Sequence, residues 1–159
     1  MEAALAAAVQ EGSGDMNTIP LDQAQIKEAI ARAEAQTSGE IRVVVYPHAV
    51  DDPVANAKQE FIRLAMHRTR QRNAVLILVA PSARAFAIYG DEGVHARCGP
   101  RFWQDVAEIM AQHFHRGEFT NGVVQAVGQT GAILAQHFPH SPDDENELPD
   151  DVVDRGVVI

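Results

Sequence analysis

"NAVLILVAPSARAFAIYGD" runs from Asn73 to Asp91 and decides the fold. Its first half, Ala74–Ala80, is apolar without interruption, the pattern of a strand buried on both faces. Pro81–Ala83 is a three-residue turn. The second half returns as a strand through Tyr89, with Phe86 and Ile88 on one face and Ala85, Ala87 and Tyr89 on the other. Two strands joined by so short a turn are antiparallel. Gly90 and Asp91 then leave the strand at the end where Asn73 entered.

Working outward on the N-terminal side, "EIRVVVYP" gives an earlier strand over Ile41–Tyr46, closed by Pro47. A helix precedes it, capped by Asp22 with Gln25 three residues on, and carries Ile26, Ile30 and Ala33 as its stripe. Gly39 ends that approach. A second helix, capped by Asp51 or Asp52 with Pro53 in its first turn, buries Val54, Ala57, Phe61, Leu64 and Ala65. Arg68, Arg70 and Arg72 are expected at its C-terminal end, where cations suit the helix dipole. A helix between two strands makes them parallel through a right-handed crossover.

On the C-terminal side, Asp91 caps a short helix that Gly99 ends. Pro100 opens another, with Phe102, Val106, Ile109, Met110 and His113 along one stripe. "RGEFT" breaks it, and Thr120 is expected to cap a last helix bearing Val123, Val127, Leu134 and Phe138. The order is α-β-α-β-β-α-α-α. The fold class is α/β: a three-layer α/β/α sandwich with a small mixed central β-sheet.

At 159 residues the chain fits one domain with a real core, read here as 16–140. Residues 1–15 read as a flexible N-terminal segment or tag, through the linker-like "EGSGDM" and a second methionine at Met16. Residues 141–159 read as an acidic tail. The formal charge of −9 belongs to these ends: 142–159 hold seven acids and one base, and 1–15 hold three acids and no base. The body between is neutral, so no nucleic-acid surface is expected. No run reaches the length of a membrane-spanning helix, "ALAAAV" is short and follows Glu2, and a cytoplasmic protein is the expectation. The single cysteine, Cys98, excludes an intramolecular disulfide.

The topology gathers polar residues at one sheet edge. Asn73 opens the second strand, Asp91 follows the third, and Glu40 opens the first, which runs parallel to the second. Glu40, Asn73 and Asp91 are hard oxygen donors that would suit calcium or magnesium. Arg68 and Arg72 would hold a phosphate by charge-assisted hydrogen bonds. With Asp91 holding the metal and His95, one helical turn on, acting as general acid or base, Asp91 and His95 would be the catalytic residues of a metal-assisted phosphoester hydrolase. The same residues also read as solvated strand ends and caps.

Asp91, His95 and Cys98 lie on one helix face, a spacing that would supply three zinc ligands, but an N-cap and an inert buried cysteine explain it as well. His113 reads as a core or boundary histidine, His113 and His115 point to different sides, and Trp103 reads as core. There is no phosphate-binding GKS or GKT loop, no dinucleotide fingerprint and no nucleophile elbow.

Three segments carry a family resemblance: "AIARAEAQTSGEIRVVV" (29–45), "RNAVLILVAPSARAFAIYGDEGV" (72–94) and "FHRGEFTNGVVQAVGQTGAILAQHF" (114–138). Together they resemble the TPM domain family, also called the TPM phosphatase family, from about Leu21 to Phe138. With the tail "FPHSPDDENELPDDV", the chain is most similar to a short soluble bacterial branch. The resemblance implies a compact α/β/α domain and, in some members, divalent cation binding, calcium especially. Plant relatives are described as acid phosphatases linked to photosystem repair, and animal relatives as membrane-tethered receptor modulators. Glu40 matches the glutamate after the first helix, Asn73 the polar residue opening the second strand, and Gly90, Asp91 and Gly93 the glycine-rich turn. The expected function is a divalent-cation-binding interaction or adaptor domain with a protein partner. The alternative is an acid-phosphatase-like hydrolase of a phosphorylated small molecule or protein.

Overall fold

The structure is a computed structural model that describes residues 21–46, 50–140 and 152–153, and the backbone of 3–8 and 154. Its sheet has the order β1-β4-β3-β2-β5, built from β1 (Ala3–Ala8), β2 (Glu40–Val45), β3 (Ala74–Ala80), β4 (Ala85–Gly90) and β5 (Val153–Asp154). The helices are α1 (Gln23–Glu34), α2 (Pro53–Arg63), α3 (Glu92–Cys98), α4 (Pro100–His115) and α5 (Phe119–His137). β2 and β3 are parallel, with Glu40 opposite Ala74, while β3 and β4 form the antiparallel hairpin across Pro81–Ala83. The expected mixed sheet and its three-layer arrangement are what the chain adopts.

Strand alternation divides the interior into two cores. Val75, Ile77, Val79, Phe86 and Ile88 face α1, α4 and α5, where Phe102, Trp103, Val106, Phe114 and Phe119 are buried. Leu76, Leu78, Ala87 and Tyr89 face α2 through Ala57, Phe61 and Met66. β3, buried on both sides along its whole length, explains why its sequence shows no polar alternation.

The helix starts follow capping chemistry. Asp22 accepts from the Gln25 N–H (3.1 Å), and Asp52 accepts from the Ala55 N–H (3.1 Å) with Pro53 in the first turn. Gly99, at φ 76°, separates α3 from α4, which Pro100 opens.

Four expectations differ in detail. Thr120 does not cap α5: the helix begins at Phe119, its cap position is Glu118, and the Thr120 hydroxyl accepts from the Asp22 N–H (3.1 Å). α2 stops at Arg63, earlier than the arginine series required. Ala65 takes a left-handed conformation (φ 59°) and the chain continues as a 3₁₀ turn over Met66–Arg68. Within the segment read as a flexible N-terminal segment or tag, Ala3–Ala8 pairs antiparallel along β4. Within the tail, Val153–Asp154 pairs in parallel with Val44–Val45. Both are edge additions, which an Ala-rich run and a two-residue strand do not announce. The readings of 11–16 as linker, Pro47 as strand terminator and the rest of the acidic tail lie outside the described residues.

His113 is a half-buried boundary residue whose Nδ1 lies 2.9 Å from Glu118 Oε1; that hydrogen bond, with Arg116, holds the Glu118 carboxyl below its usual range. Trp103 is core, and its indole explains Gly90: a Cβ there would stand 2.0 Å from the ring.

Candidate functional site

The polar edge exists where the strand order requires it. The Glu40 N–H donates to the Asn73 carbonyl (3.3 Å), and the Asp91 N–H donates to the Ala74 carbonyl (3.0 Å). Glu40, Asn73 and Asp91 are all buried at this end. β3 stands between the strands that carry the two acids, so their backbones lie about 10 Å apart, two strand spacings. Asn73 Nδ2 donates to Ser38 Oγ (3.3 Å), and its Oδ1 is buried without a hydrogen-bond partner.

Arg72 decides what Asp91 can do. Its Nε donates to Asp91 Oδ2 (2.6 Å) and its Nη2 to Asp91 Oδ1 (2.7 Å), a bidentate fork on a carboxylate only 4 % exposed. Nη1 donates to Glu92 Oε1 (3.2 Å). Hydrogen bonding to Asp91 raises the guanidinium pKa above its ordinary value. Asp91 Oδ1 also accepts from the Glu92 N–H (2.8 Å), capping α3. Arg72 reaches this position from a left-handed backbone (φ 51°), and its carbonyl accepts from the Gly93 N–H (2.9 Å). A Cβ on Gly93 would lie 2.3 Å from the Gln71 carbonyl oxygen, so only glycine lets α3 start this close. The sequence "YGDEGV" is therefore a packing glycine, a capping and pairing aspartate, and a close-approach glycine.

Beside the fork is a cleft of about 360 Å³ lined by Phe61, Ile62, His67, Arg72, Tyr89, Asp91 and Glu92. Phe61 and Tyr89 meet edge to face at 4.9 Å and form its wall. Ile62, 51 % exposed, stands on the rim and is the only exposed large hydrophobic among the described residues. His67 Nδ1 is buried without a hydrogen-bond partner. Phe61 and Tyr89 read from sequence only as packing residues, and His67 was not singled out, because the turn that brings it here depends on left-handed Ala65, a conformation no residue type signalled.

The other expected residues are distributed differently. Arg68 is exposed in the 3₁₀ turn, and Arg72 is committed to two acids, so they form no open phosphate clamp. His95 is half-buried on α3 and does not line the cleft. Burial raises the Cys98 thiol to about 11, which removes it as a nucleophile or thiolate ligand near neutrality. Among the described residues no group of three or more His, Cys, Asp or Glu is placed to hold a metal ion. As they stand, the residues do not fit a calcium or magnesium site: both Asp91 oxygens already face a guanidinium.

With this geometry in place, the comparisons identify the fold. Residues 16–133 match the TPM domain. The chain belongs to the TPM domain family. This TPM domain is also similar to the NMR structure of the BA42 protein from the psychrophilic bacterium Bizionia argentinensis, with 36 % identity and a TM-score of 0.78. That similarity covers 83 % of this chain and 91 % of the other. No curated protein matches the chain. Among the described residues of the TPM domain no helix is long and apolar enough to cross a membrane.

Proposed function

We propose that this TPM domain is an interaction module that works without turnover, with the cleft between α2 and the end of β4 as its contact surface. The observation that carries the reading is the Arg72–Asp91 fork. It engages both carboxylate oxygens and commits three guanidinium N–H groups, so neither residue is disposed to act on a phosphoester. The cleft instead offers binding chemistry. The exposed Ile62 at its rim suits an apolar side chain, and the exposed Glu92 suits a basic neighbour on the same protein partner.

Divalent cations enter this proposal as competitors. Arg72 supplies from within the chain the positive charge that buried Asp91 requires, so calcium at Asp91 competes with it. A calcium titration followed by melting temperature should therefore show tighter binding in Arg72→Ala than in the native chain. Equal affinity would assign any bound ion to another place.

The hydrolase alternative is decided by p-nitrophenyl phosphate in the presence of calcium, magnesium or chelator. The interaction reading predicts no turnover above buffer in any of them. Metal-dependent turnover that disappears in Asp91→Asn would replace it with the phosphatase reading.

A further inference from the structure

β2 is the last full-length strand on its side of the sheet, and two different devices close its outer edge. The N–H groups of Glu40 and Tyr46 point inward, to the Asn73 carbonyl (3.3 Å) and the Val79 carbonyl (2.8 Å). Backbone alternation therefore turns the N–H groups of Ile41, Val43 and Val45 outward. Ile41 N–H is met by Glu34 Oε2 (2.8 Å) from the end of α1. Farther along, Val44 and Val45 pair with Val153 and Asp154.

The tail grips this edge through consecutive side chains. Val152 packs against the large core beneath α1, α4 and α5, and Val153 packs against the smaller core beneath α2. Neighbouring residues on a strand point to opposite faces, so an adjacent apolar pair clasps the sheet from both sides. A ladder of two residues makes few hydrogen bonds, and their net gain is set against the entropy of ordering the tail. Such a strand is removable, and what it leaves is a paired-strand template with a fixed parallel direction.

We infer that the outer edge of β2 is a strand-accepting site for an extended protein segment carrying two adjacent β-branched residues. Val152–Asp154 fills it in cis, and a partner segment of the same chemistry takes the place when the tail is displaced. This site is separate from the cleft and does not depend on how the cleft is read.

The test uses the full chain with Val153→Asp and a fluorescent peptide of sequence ELPDDVVDRG (147–156). The substitution lies outside the 16–133 family match, and slow amide exchange at Ile77 on β3 reports that the sheet is folded in the variant used. The peptide should bind the variant saturably and the native chain at least about tenfold more weakly, because the native edge faces its own tail at high effective concentration. A peptide with both valines changed to aspartate should bind neither. Equal binding to native and variant chains, or none to the variant at millimolar peptide, overturns the inference. Without peptide, amide exchange at Val45 should be at least about tenfold faster in the variant than in the native chain. Unchanged exchange overturns it too.

Discussion

The two faces of the sheet are built differently. On one, α1, α4 and α5 cover the strands with an extended apolar layer in which the rings of Phe86, Phe114 and Phe119 meet edge to face. On the other, α2 and the short 3₁₀ turn after it cover β3 and β4, and α2 stops early enough to leave a cleft beside Asp91. The covered face is organised by apolar periodicity. The thin face is organised by backbone geometry, through left-handed Ala65 and Arg72 and the carboxylate that Arg72 holds. The difference teaches where this fold can be altered: one side is committed to stability, and the other keeps polar groups within reach of solvent.

Truncating one ring on each face should separate them. Phe114→Ala removes a fully buried ring and should cost about 4 kcal/mol in urea unfolding. Phe61→Ala should cost about 1 kcal/mol less, because its cavity opens into the cleft and water can enter. The reverse order would break the two-face comparison.

The ion pair comes next. Arg72→Ala should cost about 2 kcal/mol, since it strands a buried carboxylate, while the partly exposed guanidinium keeps the loss below that of a fully buried pair. Arg72→Gly removes the same pair but accepts the left-handed backbone, so it should be about 1 kcal/mol more stable than Arg72→Ala. If the two variants are equally stable, backbone strain at position 72 has no part in the thin face.

Cys98 probes the margin of the covered face by pH. Its folded pKa is raised by burial from 9.0 to about 11, so the native state keeps a proton that the unfolded state loses. Its contribution is fully present below pH 9 and should be lost as pH rises through 9 toward 11. Iodoacetamide should label the native chain slowly at pH 8, and fast labelling would place the thiol in water. The smallest effect is Ile62→Ser: stability should change by less than about 0.5 kcal/mol, because the side chain is already half exposed.

The sequence made the elements and their order readable because their signals are local. The hairpin from Asn73 to Asp91, the caps at Asp22, at Asp51 or Asp52 and at Asp91, and the Gly99–Pro100 break each follow from residue type and spacing. Strand order then brought Glu40, Asn73 and Asp91 to one edge. Pairing was not readable. A series of arginines looks the same whether it awaits a phosphate or already holds an acid, so Arg72 was expected as a clamp and Arg68 with it. Left-handed alanine and arginine carry no compositional mark, which hid the early end of α2 and the place of His67. Thr120 reads as a cap by residue type and position; its hydroxyl does accept a backbone N–H, but that N–H belongs to Asp22, 98 residues away.

The central claim is that Asp91 is held by Arg72 as a structural pair. A double-mutant cycle with Arg72→Ala, Asp91→Ala and the combined variant, followed by urea unfolding, measures it directly. The account predicts a coupling of about 2 kcal/mol between the two sites. Additive losses, with a coupling near zero, would contradict it and return Asp91 to the set of groups available for chemistry.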